Sequence, residues 1–284
     1  MLRALTRGHG FGLRVPHYPA IIEGGARGVD FVEAVTENFL GRGGRPRAVL
    51  ERVRRDVPVA LHGVSLSIGG VSPLNRDYLH ALRALCDEIS PAVVSDHLCF
   101  GTWGPHYGHD LWPLPYTEEA LAHVVARVAT VQDVLGRRLA LENVSSYVTF
   151  ADSQLSEWEF LSQVAHRADC YLLLDINNVY VSAYNHDFAA ERYIDAIPTD
   201  RVAQFHLAGH RDQGAYLLDD HGSMVPPPVW ALHRRAVSRF GPTPTIIEWD
   251  ENVPSLDVLA AEVEKARRSE AIALSEADLT TGAA

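Results

Sequence analysis

Short apolar runs in this 284-residue chain end repeatedly in a histidine or a carboxylate. Val57–Leu61 leads into His62, Ala92–Ser95 into Asp96 and His97, and Arg138–Leu141 into Glu142 and Asn143. Tyr171–Leu174 leads into Asp175, with Asn178 three residues on. Val202–Phe205 leads into His206, and Thr245–Ile247 into Glu248. The segment Asp219-Asp220-His221-Gly222 sets Asp219 and His221 two apart, a spacing at which both can chelate one ion. These are metal-ligand residue types, histidine above all. Taken singly, each reads as a packed strand end or a helix cap. Together, four histidines and four carboxylates exceed the four to six ligands that one ion takes. They suit two or three ions joined by bridging carboxylates, with Asn178 adding an amide oxygen. Mixed imidazole and carboxylate ligation fits iron, manganese or zinc. The lack of thiolates fits iron or manganese slightly better. Burying this many ionisable groups in one place without an ion is costly.

For such scattered residues to meet, the runs must lie side by side and end at one rim. The order of elements supplies that. Strands are expected at Gly10–Arg14, Val29–Val35, Val57–His62, Ala92–His97, Leu139–Glu142, Tyr171–Asp175, Val202–His206 and Thr245–Glu248. Helical segments alternate with them, from Ala20–Glu23 to Ser255–Arg268. Thr117-Glu118-Glu119 is an N-cap with an acidic first turn. The strands are continuous apolar runs, as in a parallel sheet buried on both faces. Eight strands alternating with eight helices predict an α/β fold, a single-domain (β/α)₈ TIM barrel over residues 1–271. Residues 272–284 are expected to be a disordered tail. Long loops are expected after strands three, four, six and seven, on the rim where such barrels carry their active sites.

Composition narrows the function. The net charge of −11 argues against a nucleic-acid partner, because binding a phosphate backbone needs a basic surface. No apolar run reaches the roughly 18 residues of a membrane span, so no membrane partner is expected. Met1–His9 lacks the apolar core of a signal peptide, and a cytoplasmic location is expected. Cys86, Cys99 and Cys170 show no paired spacing, which argues against a disulfide framework or a cysteine zinc site. Cys99 falls close enough to His97 to lie near the rim.

The segments resemble the multinuclear non-haem iron oxidative enzymes, the family that includes the methanobactin-maturing oxidase. The stretches that carry the resemblance are Gly10–Tyr18, Leu61–Gly69, Ser95–Leu98, Asp110–Thr117, Glu142–Tyr147, Leu174–Tyr180, His206–His210, Asp219–Gly222 and Ile247–Asp250. They span most of the barrel, within the wider superfamily of xylose-isomerase and apurinic-endonuclease barrels. The resemblance implies two or three iron ions of mixed Fe(II)/Fe(III) state, with O₂ as cosubstrate. It implies oxidation of a ribosomally made precursor peptide, commonly at cysteine. Family outcomes include heterocycle or thioamide formation and carbon excision. It also implies a partner protein that presents the leader segment of that peptide. By the pattern of the wider superfamily, His62 and His97 share one ion with Glu142. Glu142, Asp175, His206 and Glu248 hold a second, and Asn178, Asp219 and His221 a third. Asp220 departs from the small neutral residue expected there. Asn178 stands where the endonucleases carry histidine, which weakens the third site.

Asp96, Asn143 and His210 are the candidates to orient ligands or relay protons. His106, His109, Tyr147, Tyr180, Tyr184 and Trp249 are weaker candidates for contact with substrate. Two other reaction classes fit the ligand ring: a metal-dependent phosphoester hydrolase and a sugar isomerase or epimerase. Both would act without O₂.

Overall fold

The structure, a computed structural model, describes residues 8–26, 28–41, 43–104 and 106–281. Residues 1–7, in the expected signal-free N-terminus, and the side chain of His109 lie outside that description. The barrel is built from β1 (His9–Leu13), β2 (Phe31–Val35), β3 (Val59–Gly63), β4 (Val94–His97), β7 (Ala140–Glu142), β8 (Tyr171–Asp175), β9 (Val202–Leu207) and β12 (Thr245–Ile247). Their pairing closes in the order β1-β12-β9-β8-β7-β4-β3-β2, parallel throughout. Two antiparallel hairpins stand on the rim: β5 (Phe100–Trp103) with β6 (His106–Trp112), and β10 (Arg211–Asp212) with β11 (Leu217–Leu218).

Helices α1 (Tyr18–Gly24), α2 (Gly44–Asp56), α3 (Arg76–Ile89), α4 (Glu118–Leu135), α5 (Glu157–Arg167), α6 (Ile176–His186), α7 (Ala190–Ala196), α8 (Pro227–Phe240) and α9 (Leu256–Thr281) surround the sheet. Thr117 caps α4, accepting from Ala120 N at 3.1 Å, and Ser156 with Glu159 forms a capping box on α5. The large core lies between helices and barrel, where Leu50, Leu82, Val128, Phe160 and Phe205 are buried.

A separate small cluster plugs the barrel interior: Phe31, Ala60, Val93, Ala140, Leu173 and Ile246. Strand side chains alternate between faces, so residues two further on share the same interior. Those residues include His62, Glu142, Asp175 and Glu248. The apolar plug is therefore the floor on which the polar groups stand.

Three expectations change. The long loop expected after strand six is mostly helix, because Asp175 caps α6 by accepting from Asn178 N at 2.7 Å. The segment after strand four contains the β5–β6 hairpin. The chain beyond Ala271 continues α9 to Thr281. Good helix formers fill that stretch, and Ala273 is buried against the body.

At the opposite, N-terminal end of the barrel, His9 and His233 are buried. His233 Nδ1 lies 2.8 Å from Ser269 Oγ, which ties α8 to α9. Burial pushes His233 down to about 3 and His9, helped by Arg267, down to about 4. Unfolding releases both to ordinary histidine values near 6.5. The unfolded chain thus binds more protons below that pH, and stability falls as pH drops from about 6.5 toward the folded values. At pH 5 each histidine is expected to cost about 2 kcal/mol. Urea titrations in chelator at pH 7 and pH 5 check this. His233→Gln should lose about 2 kcal/mol less than the wild type between the two pH values. Equal losses would refute it.

Candidate metal centre

At the C-terminal ends of the strands, His62, His97 and Glu142 bring one ligand atom each within 4.8 Å of the others. Glu142 Oε2 lies 3.1 Å from His62 Nε2 and 3.4 Å from His97 Nε2. The hydrogen bonds behind the rings decide which nitrogen carries the proton. Ser95 Oγ donates to Leu61 O and so accepts from His62 Nδ1–H at 2.8 Å. Gly63 O accepts from His97 Nδ1–H at 3.1 Å. Both Nε2 lone pairs therefore face a carboxylate oxygen, and three acceptors converge on one point. Only a cation, proton or metal, satisfies that arrangement.

Glu142 also belongs to a second group with Asp175, His206 and Glu248, all buried. His206 Nδ1 lies 2.9 Å from Glu248 Oε2, 3.7 Å from Glu142 Oε1 and 3.9 Å from Asp175 Oδ2. Its other nitrogen faces Glu33. Arg14 holds the far oxygen of Glu248 at 3.0 Å and also binds Asp250. Gly12 makes room for that guanidinium: a Cβ there would come within 2.6 Å of Arg14 Nη1.

The third group differs from the expected one. His221, Glu248 and Asp250 approach one another, with His221 Nδ1 3.3 Å from both carboxylates. Its Nε2 lies 2.7 Å from Asp219 Oδ1 and 3.8 Å from Asp175 Oδ2. Asn178 turns elsewhere. Its amide nitrogen donates to Asn143 O at 3.0 Å and to Glu142 Oε1 at 3.4 Å, and its oxygen accepts from Ser145. The neighbouring Asn177 is the residue that donates to Asp219, at 2.9 Å. The reason is helical phase: on the first turn of α6, successive side chains diverge by about 100°. His221 sits at φ 44°, in the left-handed region, so its backbone is held against its own preference. The loop is held there by Tyr147, whose hydroxyl accepts from Asp219 N at 2.9 Å, and by Gly209. A Cβ at Gly209 would come within 2.4 Å of Ser223 O.

Charge compensation is tight. Burial opposes ionisation of Glu142, yet His97, His62 and His206 hold it down at about 2. Burial would lower His62, but Glu142 and Glu33 lift it to about 9. Asp175 is pushed up to about 8, by burial first and then by Glu142 and Asp219. Glu142 Oε2, Asp175 Oδ2, His206 Nδ1 and His221 Nε2 are buried, and the polar atoms nearest to them belong to the same histidine and carboxylate groups. Buried polar groups that face only one another need a shared cation, proton or metal, to balance them. The donor set fits cations of the imidazole–carboxylate class.

Of the candidates for orienting or relaying, none lines the cavity above these groups. Asp96 lies on the helix side of the sheet beside Tyr78. It accepts from His97 N and Leu66 N, and burial with Glu37 nearby lifts it to about 7. Asn143 clamps β7 to β8 through two 2.9 Å bonds with the backbone of Asp175. His210 stacks on Tyr180 and bonds Asn177 Oδ1 at 2.7 Å, so it reaches Asp219 only through Asn177. Tyr147 lines the cavity, whereas Tyr180 and Tyr184 line a separate groove. Trp249 is buried, and His106 is exposed beside Trp103 on the β5–β6 hairpin. Cys99 is buried and does not line the cavity.

Sequence reasoning missed Arg14, Glu33 and Asp250 as parts of the centre. Glu33 had a signal, since a strand buried on both faces has no other reason to carry a carboxylate. The cavity over the centre measures about 440 Å³. Val35, Val64, Leu111 and Val144 give it apolar wall, and Asp110, Asp219, Asp250 and Glu251 give it an acidic rim.

Comparison with known proteins agrees with this architecture. L-ribulose 3-epimerase superposes with a TM-score of 0.61 at 13% identity, covering 98% of this chain and 97% of that one. D-allulose 3-epimerase from Methylomonas sp. gives 0.62 at 13% identity, covering 94% and 99%. At such identities these share the fold. Closer in sequence, a UPF0276 protein of Anaeromyxobacter sp. (strain Fw109-5) is 58% identical over 95% of this chain and 96% of its own length. A UPF0276 protein of Caulobacter vibrioides (strain NA1000 / CB15N) is 52% identical over 92% and 93%. The family model described as RiPP precursor modification enzyme MbnB/TglH/ChrH, RiPP denoting ribosomally made and modified peptides, matches residues 8–271. That match covers the whole barrel and every group of the centre, and the chain belongs to this family of peptide-modifying enzymes.

Proposed function

We propose that the chain oxidises a cysteine of a ribosomally made precursor peptide, using two or three iron ions of mixed Fe(II)/Fe(III) state and O₂ as cosubstrate. The observation that carries the metal reading is the convergence of imidazole nitrogens on shared carboxylate oxygens beneath an open cavity. Iron rests on the thiolate-free donor set and on the peptide-modifying family. His62, His97 and Glu142 would hold one ion, and Glu142, Asp175, His206 and Glu248 a second. His221 would hold a third with Asp219 or with Asp250. Bound there, iron supplies O₂ binding and one-electron chemistry that side chains lack.

The chain's own residues define the rest. Glu142 bridges the first two groups and keeps their ligands at one spacing. Ser95, Gly63 O and Arg14 fix the orientation of His62, His97 and Glu248. Val35, Val64, Leu111 and Val144 exclude water around an entering side chain. A cavity of about 440 Å³ takes a side chain and its neighbours rather than a folded domain, so the peptide must enter extended. A partner protein that grips the leader segment would hold the peptide there. Among the described residues no helix is long and apolar enough to cross a membrane. The proposed site of action is the cytoplasm, because the ribosome makes the peptide there.

The test is anaerobic loading with ferrous iron, then O₂ with the cysteine-containing precursor and its partner, read by mass spectrometry. A changed peptide mass that requires both iron and O₂ is expected. Unchanged mass with iron retained and the partner present would sink the reading. Turnover of phosphoesters or free sugars without O₂ would replace it.

A further inference from the structure

Beneath the proposed metal ligands, in the layer between them and the apolar floor, lies a carboxylate that the ligand groups do not include. Glu33 stands on β2 between Phe31 of the floor and Val35 of the cavity wall, and is 3% exposed. Strand alternation puts all three on the interior face. Its Oε1 lies 2.8 Å from His206 Nε2. Its Oε2 accepts a hydrogen bond from Gln204 Nε2, two residues before His206 on β9. β2 and β9 are not neighbours, since β1 and β12 separate them. The contact therefore crosses the inside of the barrel, past the side-chain-free Gly10 and Gly12 of β1.

We infer that Glu33, itself steadied by Gln204, is a positioning residue: it takes the Nε2–H of His206 and so dictates that Nδ1 is the metal-binding atom. The inference rests on the metal reading of the mouth. The ring lies between two carboxylates, with Nε2 2.8 Å from Glu33 and Nδ1 2.9 Å from Glu248, and Gln204 Nε2 stands 3.2 Å from the same Nε2. An ion among Glu248, Glu142 and Asp175 would displace the proton at Nδ1, while Glu33 keeps the one at Nε2. A carboxylate behind a ligating histidine fixes the ring, makes the ligand more basic and typically changes metal affinity 10–100-fold. A more basic ligand favours the higher oxidation state. Glu33 thus biases the His206 position toward ferric iron.

Two substitutions separate charge from hydrogen bonding. In Glu33→Gln the new carbonyl can still accept from His206. The new amide can donate to Gln204 Oε1, which lacks a partner in the native chain, once the Gln204 amide turns over. Glu33→Leu removes both the charge and the acceptor. Iron content per chain, thermal unfolding of the metal-free forms and the midpoint potential of the iron would be measured for each. Glu33→Gln is expected to fold as the wild type, keep its iron and show a raised potential. A tenfold loss of ferric over ferrous preference reads as about 59 mV. Glu33→Leu is expected to bind the His206 ion 10–100-fold more weakly. Loss of that ion from folded Glu33→Gln would also support the role. If both variants only unfold at lower temperature, with wild-type iron content and potential, Glu33 is a packing residue and the inference falls. If the wild type itself binds no iron, the metal reading has failed instead.

Discussion

Replacing Glu142 with glutamine should empty two metal positions at once. The carboxylate faces His62 and His97 on one side and His206 on the other, and it belongs to both of the first two groups. Glutamine keeps the volume but offers an amide that cannot bridge as an anion. His62, His97 and His206 would then lose the charge that holds them together. Iron content is expected to fall to one ion per chain or fewer. Peptide oxidation should drop by about 10³-fold or more, since several kcal/mol of charge stabilisation leave with the ions. Metal analysis on the purified variant, together with peptide mass spectrometry, checks both. A variant with full iron content would show that Glu142 is not the bridge. The fold itself should survive, because the apolar floor and the outer core do not involve this side chain.

Metal removal should be the larger effect on stability. Without a cation, the acceptors around Glu142, Asp175, His206 and His221 oppose one another in a dry interior. An ion held a thousandfold below its ambient concentration stabilises the folded state by about 4 kcal/mol. Two such ions raise the unfolding midpoint by about 15 °C for a chain of this size. Anaerobic thermal unfolding with and without ferrous iron measures this. The gain should shrink as pH falls from 8 to 6. His62, with a value of about 9, and Asp175, with about 8, carry protons there that the ions must displace. A midpoint indifferent to iron would mean that these groups are compensated by protons alone.

Much of this was legible without coordinates because it depends on local alternation. An apolar residue on the barrel floor is followed two positions later by a polar residue at the mouth. Ala60 leads to His62, Ala140 to Glu142, Leu173 to Asp175 and Ile246 to Glu248. That pattern lies within single strands, so His62, His97, Glu142, Asp175, His206 and Glu248 could be named from the chain. The eightfold strand–helix order was equally local. Helix caps such as Thr117 were visible for the same reason.

What the sequence by itself determined was therefore the element order, the barrel and the residue types on its rim. Tertiary structure decided which atoms meet. Glu33 reaches His206 across the lumen only because closure brings β2 opposite β9, separations that no local pattern encodes. Arg14 finds Glu248 and Asp250 because β1 and β12 pair to close the ring. Asn178 turns toward Glu142 rather than His221 because Asp175 starts a helix at that point and sets the phase of the side chains after it. Strand periodicity chooses the face a residue occupies. Barrel closure and helix phase then choose its partner, and those are properties of the assembled chain.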